Sequence, residues 1–379
     1  MRIQLDTHDA VVACLILAQS HGSLAEPIPI PPPSGPYSVG VTKQTIPYYN
    51  AHDPVSPNGT STRFLATIFY PTAQGAQGEP EPYLNPETAA FYEQQFNYSS
   101  GVLASMTSTL QEDAFFLADY ETEASRRSTL IYNSCGLGPP TEVNTILLSD
   151  LASYGYVVIG LDHPFEQPFV RFPDGTAVSG VTLDSQNLTL VEQIYELRLL
   201  DNNVFLDYLP ELAAQLNAPI NTSKLGIFGC SLGGASALGS LQVRSELVSG
   251  LNIDGSFWGN LTTNTTEADV AKPLFLLGMG GHAGDWLTFP LWQTGSYFGK
   301  VLVQGALHHD FRDDAFWKTV DQGSDTGLGT IDGFRAMQIV RTIVRAFFDY
   351  TLLGQIAPIL EGPSEEWPEL QYWNKTSQL

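Results

Sequence analysis

Short, nearly all-apolar runs alternate with longer stretches of helical periodicity along most of this chain. The apolar runs fall at residues 37–48, 63–72, 128–134, 155–162, 224–230, 250–255, 273–280 and 300–308. From residue 128 onward they carry few polar positions, as strands buried on both faces of a parallel sheet do. Between them, residues 144–154, 190–216, 233–243 and 333–353 repeat their apolar positions with a period near 3.6 and predict helices. Alternation of this kind predicts an α/β fold: a mostly parallel central sheet with helices on both faces.

Two segments fit that plan less well. Residues 73–127 are turn-rich with mixed helical character, and residues 163–189 are full of Pro and Gly. Both read as loop insertions over one end of the sheet, where substrate-covering loops or plain surface loops sit. The proline-rich stretch 26–36 predicts an extended, poorly ordered approach to the first strand. The acidic, aromatic tail 355–379 is expected to pack loosely on the surface. Without a linker between these parts, residues 26–379 read as a single domain.

The N-terminus adds a compartment. Residues 10–18, "AVVACLILA", form an apolar run of signal-peptide length, and "SLA" at 23–25 is a small-x-small cleavage signal, although Asp6 and Asp9 outnumber Arg2 ahead of it. Residues 1–25 therefore read as a signal peptide and the mature protein as secreted, with the lumen of the secretory pathway or the vacuole as the alternative. Seven N-x-[ST] sequons, at Asn58, Asn97, Asn187, Asn221, Asn260, Asn264 and Asn374, exceed the roughly two expected by chance and fit that route. The formal net charge of -23 repels phosphate backbones and anionic head groups, which argues against nucleic acid and against docking on an anionic membrane. Two cysteines remain after the leader, Cys135 and Cys230. They have no zinc-ligand spacing and allow at most one bridge.

The candidate chemistry centres on Gly229-Cys230-Ser231-Leu232-Gly233, which follows the apolar run "LGIF" and opens a small-residue helix. Strand, sharp turn and helix in that order form a nucleophile elbow, where glycines two residues either side let strand and helix approach. A serine needs a base and an orienting acid, in the chain order Ser, acid, His. Asp254 closes the next apolar run, and Asp285 is its rival one strand later. Among the histidines after the acid, His308 and His309 follow the last predicted strand and His282 the previous one. Spacing alone does not choose within the 308–309 pair.

The segments "NSCGLGPP", "LLSDLASYGYVVIGLDHP", "GIFGCSLGGASA", "GLNIDGS" and "GALHHDF" together resemble the platelet-activating factor acetylhydrolase family of secreted α/β-hydrolases, in particular its fungal branch. The resemblance covers roughly residues 125–315 and implies an α/β-hydrolase fold. It implies His308 as base, through Gly305-x-x-His308-x-x-Phe311, and Asp254 as acid. It also implies oxyanion donors at the backbone N–H groups of Leu137 and Leu232, each worth roughly 3–4 kcal/mol of barrier. Where the family has histidine, this chain has Cys135 and Cys230. Because the two loops adjoin in that fold, the departure implies a Cys135–Cys230 disulfide, permitted in an oxidising compartment.

The expectation is a serine carboxylic-ester hydrolase acting through an acyl-enzyme on short-acyl, lipid-like esters, with a small-molecule ester as partner and no metal or organic cofactor. Acyl transfer or lactone chemistry on the same triad is the alternative. A scaffold used only for binding is disfavoured because all three triad positions are filled. Phe257, Trp258, Trp286, Phe289 and Trp292 are candidates for an acyl pocket or for core.

Overall fold

Each of the predicted apolar runs becomes a strand of one ten-stranded sheet. The computed structural model describes residues 26–75, 80–117, 128–282 and 284–372. The leader expected at 1–25 and the sequon at Asn374 lie outside them. The strands are β1 (Ser38–Asn50), β2 (Ser61–Thr72), β3 (Gln111–Glu112), β4 (Thr129–Asn133), β5 (Val157–Asp162), β6 (Leu225–Cys230), β7 (Leu247–Ile253), β8 (Leu274–Met279), β9 (Phe298–Val303) and β10 (Leu370–Tyr372). Their spatial order is β10-β9-β8-β7-β6-β4-β5-β2-β1-β3. The run from β9 to β5 is parallel throughout. β10 on one side and β2 on the other are antiparallel to it.

The helices are α1 (Pro86–Gln95), α2 (Thr145–Ser153), α3 (Leu188–Gln215), α4 (Leu232–Val243), α5 (Asp314–Val320) and α6 (Gly333–Leu353). Residue alternation along the strands feeds two cores. Phe275 and Leu277 of β8 pack with α2, α5 and α6, while Leu274 and Leu276 pack with α3 and α4. That two-sided burial is why the parallel strands read as unbroken apolar runs. Helix α6 matches its predicted bounds because both ends are signalled locally. Asp332 caps it by accepting the Arg335 N–H (3.0 Å), and Gly354 ends it in the left-handed conformation, φ 74°.

After β4 the chain passes through α2 to β5 on one side, then returns through α3 to β6 on the other side of β4. The order reverses between β4 and β6, so a crevice opens at their C-terminal ends. The loop starting at Ser134 and the turn at Ser231 both lie there. The insertion 163–189 beside it is organised by the short antiparallel ribbon Phe169–Arg171 with Ala177–Ser179.

Two expectations need correction. The proline-rich stretch is extended but pinned: Ile28–Pro29 pairs with Met106–Thr107, Ser34 donates its N–H and hydroxyl to Asp150 (both 2.8 Å), and the Gly35 N–H bonds the Ser153 hydroxyl (2.9 Å). The tail is not loose over its described part. β10 extends the sheet edge, Ile359, Leu360 and Trp367 are buried, and Arg335 both bonds Glu369 (2.9 Å) and lies 4.4 Å from the Trp367 ring centroid. A three-residue strand is too short to register as a period, and partners from elsewhere in the chain hold both segments.

If the tail is part of the core, Trp367→Ala lowers the unfolding free energy by about 3 kcal/mol in equilibrium urea titration. A loss within about 0.5 kcal/mol, the range of ordinary surface substitutions, would show the tail to be dispensable.

Candidate active site

β6 ends at Cys230 and α4 begins at Leu232, so one residue must reverse the chain. That residue is Ser231, at φ 56° and ψ -129°. A non-glycine residue persists there only when its surroundings over-determine it. The flanking glycines make this possible. A Cβ on Gly229 would lie 2.4 Å from the Gly233 carbonyl, and one on Gly233 would lie 2.3 Å from the Ser134 carbonyl oxygen. The Ser231 N–H is held by the Ile253 carbonyl (2.8 Å).

The turn after β7 carries the acid. Asp254 stands at φ 53°, its N–H on the Leu277 carbonyl (2.7 Å), while the Asn252 side chain closes the turn with two 2.9 Å bonds to the Gly255 backbone. The buried carboxylate takes three donors. Its Oδ2 meets His308 Nδ1 at 2.6 Å, and its Oδ1 meets His282 Nδ1 at 2.8 Å and the Met279 N–H at 2.9 Å. Burial disfavours its ionised form, but the bonds from His282 and His308 outweigh that and hold its carboxyl below the usual range.

These contacts sort the candidate histidines. His308 is on Asp254, whereas His309 turns away to Asp325 (2.7 Å). The Asp310 carboxylate steadies the His308 turn by accepting the N–H groups of Leu307 (2.9 Å) and Gly329 (2.6 Å) and an ion pair from Lys318. Asp285, the rival acid, accepts the Phe257 N–H (2.7 Å) and lies 3.7 Å from His282 Nε2. His282 thus spans both candidate acids, and its ring lies tilted against Trp286, centroids 3.9 Å apart. Burial pulls its pKa down, but the bonds and charges of Asp254 and Asp285 prevail and push it up to about 9. Sequence reasoning did not foresee a second histidine on the acid.

Ser231, Asp254, His282 and His308 line one cleft of about 300 Å³. No direct hydrogen bond joins the Ser231 hydroxyl to His308 here; such bonds commonly tighten only with substrate in place. The apolar wall consists of Leu137, Val191, Leu232, Trp258 and Met279, and among the described lining residues none is Lys or Arg. Of the aromatic candidates, Trp258 alone lines the cleft. Phe257, Trp286 and Phe289 are buried in the α3–α4 core and Trp292 packs against it. A second cavity of about 320 Å³, walled by β1, β2 and residues 81–86, is lined by no histidine or cysteine among the described residues. His309, Asp314 and Asp325 approach one another within 4.8 Å, yet Asp314 already binds Arg312 (2.7 Å) and Asp325 binds His309, which makes them an ion-pair cluster.

Cys135 and Cys230 are joined by a disulfide, Cα–Cα 4.5 Å, which fastens the loop after β4 to the elbow. The expectation for Leu137 needs correction. Leu137 borders the cleft at φ 62°, but its N–H donates to Glu166 Oε1 at 2.8 Å and is not free for an oxyanion. Glu166 is wholly buried and paired with Arg198 (2.7 and 3.1 Å), which also donates to the carbonyls of Ser134 (2.5 Å) and Cys135 (3.4 Å). Burial opposes ionisation of Glu166, but Arg198 outweighs it and keeps its carboxyl below the usual range. The Leu232 N–H, first in α4, has no hydrogen-bond partner among the described residues and forms part of the positive end of its helix's dipole. Glu166 and Arg198 lie in no motif, and only the fold brings them to the loop.

The disulfide closes a separation of 95 residues. Replacing both cysteines by serine is expected to cost about 2–4 kcal/mol in denaturant unfolding and to reduce kcat through a looser loop. Unchanged stability and unchanged kcat would remove that role.

No protein-family model matches the chain. A probable 1-alkyl-2-acetylglycerophosphocholine esterase of Arthroderma benhamiae is 24% identical over 401 residues, spanning 96% of this chain and 99% of the relative. A platelet-activating factor acetylhydrolase of Cavia porcellus is 24% identical over 371 residues, spanning 89% of this chain and 82% of its own. Among solved structures, a ferulic acid esterase from Streptomyces cinnamoneus superposes with a TM-score of 0.73 at 24% identity, covering 92% of this chain and 99% of that one. The chain has the α/β-hydrolase fold, and its resemblance over nearly its whole length is to esterases of the platelet-activating factor acetylhydrolase type.

Proposed function

We propose that this carboxylic-ester hydrolase cleaves small, short-acyl esters through an acyl-enzyme on Ser231, and that it is made for the secretory pathway. The observation that carries the reading is the 2.6 Å bond from His308 Nδ1 to Asp254 at the cleft occupied by the strained Ser231. Ser231 Oγ attacks the ester carbonyl carbon while His308 Nε2 takes its proton, and Asp254 holds the imidazole and balances its charge. The Leu232 N–H is the donor placed to receive the developing oxyanion. Collapse of the tetrahedral intermediate breaks the C–O bond, and the alcohol leaves with the proton from His308. Water, deprotonated by His308 in turn, then releases the acid.

The cleft supports a small substrate, since its 300 Å³ stands at the lower end of ligand sites. With no Lys or Arg on its wall and a chain charge of -23, it favours esters without a net negative charge. An acetylated, lipid-like alcohol, as the relatives' names describe, fits if its charge is balanced. His308 is 35% exposed, so water has access to the acyl-enzyme, which favours hydrolysis over acyl transfer.

For the compartment, the support is the buried disulfide and the sequons. Asn58, Asn97, Asn187, Asn260 and Asn264 are exposed and Asn221 is half-buried, so all six reach solvent.

With nitrophenyl esters of rising acyl length, kcat/KM is expected to fall steeply beyond the shortest chains. Ser231→Ala should lose at least about 10⁴-fold. Full activity of that variant would sink the acyl-enzyme reading, and a preference for long chains would sink the substrate class. Enzymatic removal of N-glycans from the protein secreted by a eukaryotic host should lower its mass in several steps; no change in mass would remove the glycoprotein assignment.

A further inference from the structure

Asp254 does not serve His308 alone. Its Oδ2 belongs to His308 (2.6 Å), while its Oδ1 is shared by His282 Nδ1 (2.8 Å) and the Met279 N–H (2.9 Å). His282 is 8% exposed and held on every side. The Trp286 ring lies against it at 3.9 Å, and Trp286 is fixed by its own Nε1–H bond to the Gly255 carbonyl (3.0 Å). An orienting acid needs one imidazole, and the backbone already supplies a donor to the other oxygen. A second buried imidazole is therefore an addition that calls for a physical consequence.

We propose that His282 is a positioning residue for the reaction: bound to the second oxygen of Asp254, it draws off part of the carboxylate's charge and so keeps His308 working as a base at more acid pH.

The effect is electrostatic and rests on the triad reading above. A full negative charge at hydrogen-bond distance favours the protonated imidazole, and protonated His308 cannot accept the Ser231 proton. A cation on the opposite oxygen makes the acid–His282 pair nearly neutral as seen from His308, while the geometry that orients the ring is kept. The groups facing His282 support its cationic form. Asp254 stands on one side after β7 and Asp285 on the other at 3.7 Å in its own loop. On the far side, Lys300 on β9 donates to the Trp286 carbonyl (2.9 Å), and burial draws its pKa down to about 8 despite Asp285, which weakens it as a competing cation. His308 lies across Asp254. The two acids and the push of His282 to about 9 place its charge change on the alkaline side of neutrality, so it is cationic at neutral and acid pH.

The test is the pH dependence of kcat/KM on a short nitrophenyl ester for the wild type and His282→Gln, which keeps a donor but not the charge. The acid-side midpoint should rise by about one pH unit. At pH near the wild-type midpoint, the variant-to-wild-type ratio should then be several-fold lower than on the plateau. A midpoint that does not move, with only the plateau reduced, would make His282 a structural prop and overturn the proposal. Should the variant fail to fold, the wild type itself decides. Imidazole Cε1–H signals followed by NMR should show one histidine, assigned as His282, that remains cationic through about pH 8; ordinary titration of His282 near its unperturbed value of about 6.5 overturns it. The Ser231→Ala result separates the two readings, because it tests the acyl-enzyme and leaves the charge of His282 untouched.

Discussion

Two loops of this protein occupy space that side chains would otherwise fill, and the site depends on that close approach. The loop after β4 lies against the turn after β6, tied by the Cys135–Cys230 bond. A Cβ on Gly136 would fall 2.3 Å from the Leu232 Cβ, and one on Gly233 would meet the Ser134 carbonyl oxygen at the same distance. Only glycine at these positions lets the backbones meet. Their contact holds Ser231 in a conformation it would not keep alone, and sets α4, with its free first N–H, beneath that serine.

Around this contact the protein places charge in its interior, which is costly unless every group is answered. Glu166 and Arg198 answer each other and divide the loop between them: the acid takes the Leu137 N–H, the guanidinium the carbonyls of Ser134 and Cys135. The loop is thus held at both ends by partners from the 163–189 insertion and from α3. That insertion, unremarkable as a sequence, supplies a buried brace for the active site.

The carboxylate of Asp254 follows the same logic. Asp254 is buried, and His308, His282 and the Met279 N–H between them satisfy both its oxygens. His282 then passes the chain of contacts to Asp285 and Trp286, so the turns after β7 and β8 are joined. The acidic exterior and the cleft wall without Lys or Arg are separate features: the first acts at long range on what approaches, the second on what can stay.

Much of this was legible in the sequence, and the limits are physical. Periodicity is a local property, so the apolar runs and the four longest helical patterns marked β1, β2, β4 to β9, α2, α3, α4 and α6. The elbow was legible because strand, Gly-x-Ser-x-Gly and helix lie within a few residues of each other, and a family resemblance selected His308 and Asp254 and pointed to the disulfide. What the sequence left open were meetings between distant residues. That His282 would join Asp254, that Glu166 would capture the Leu137 N–H, and that residues 26–36 and 355–372 would be pinned rather than loose, all depended on the order of strands in the sheet. Local backbone preferences are written residue by residue along the chain. Hydrogen bonds and ion pairs between segments tens to hundreds of residues apart exist only once packing has brought those segments together, and the tertiary structure alone decided them.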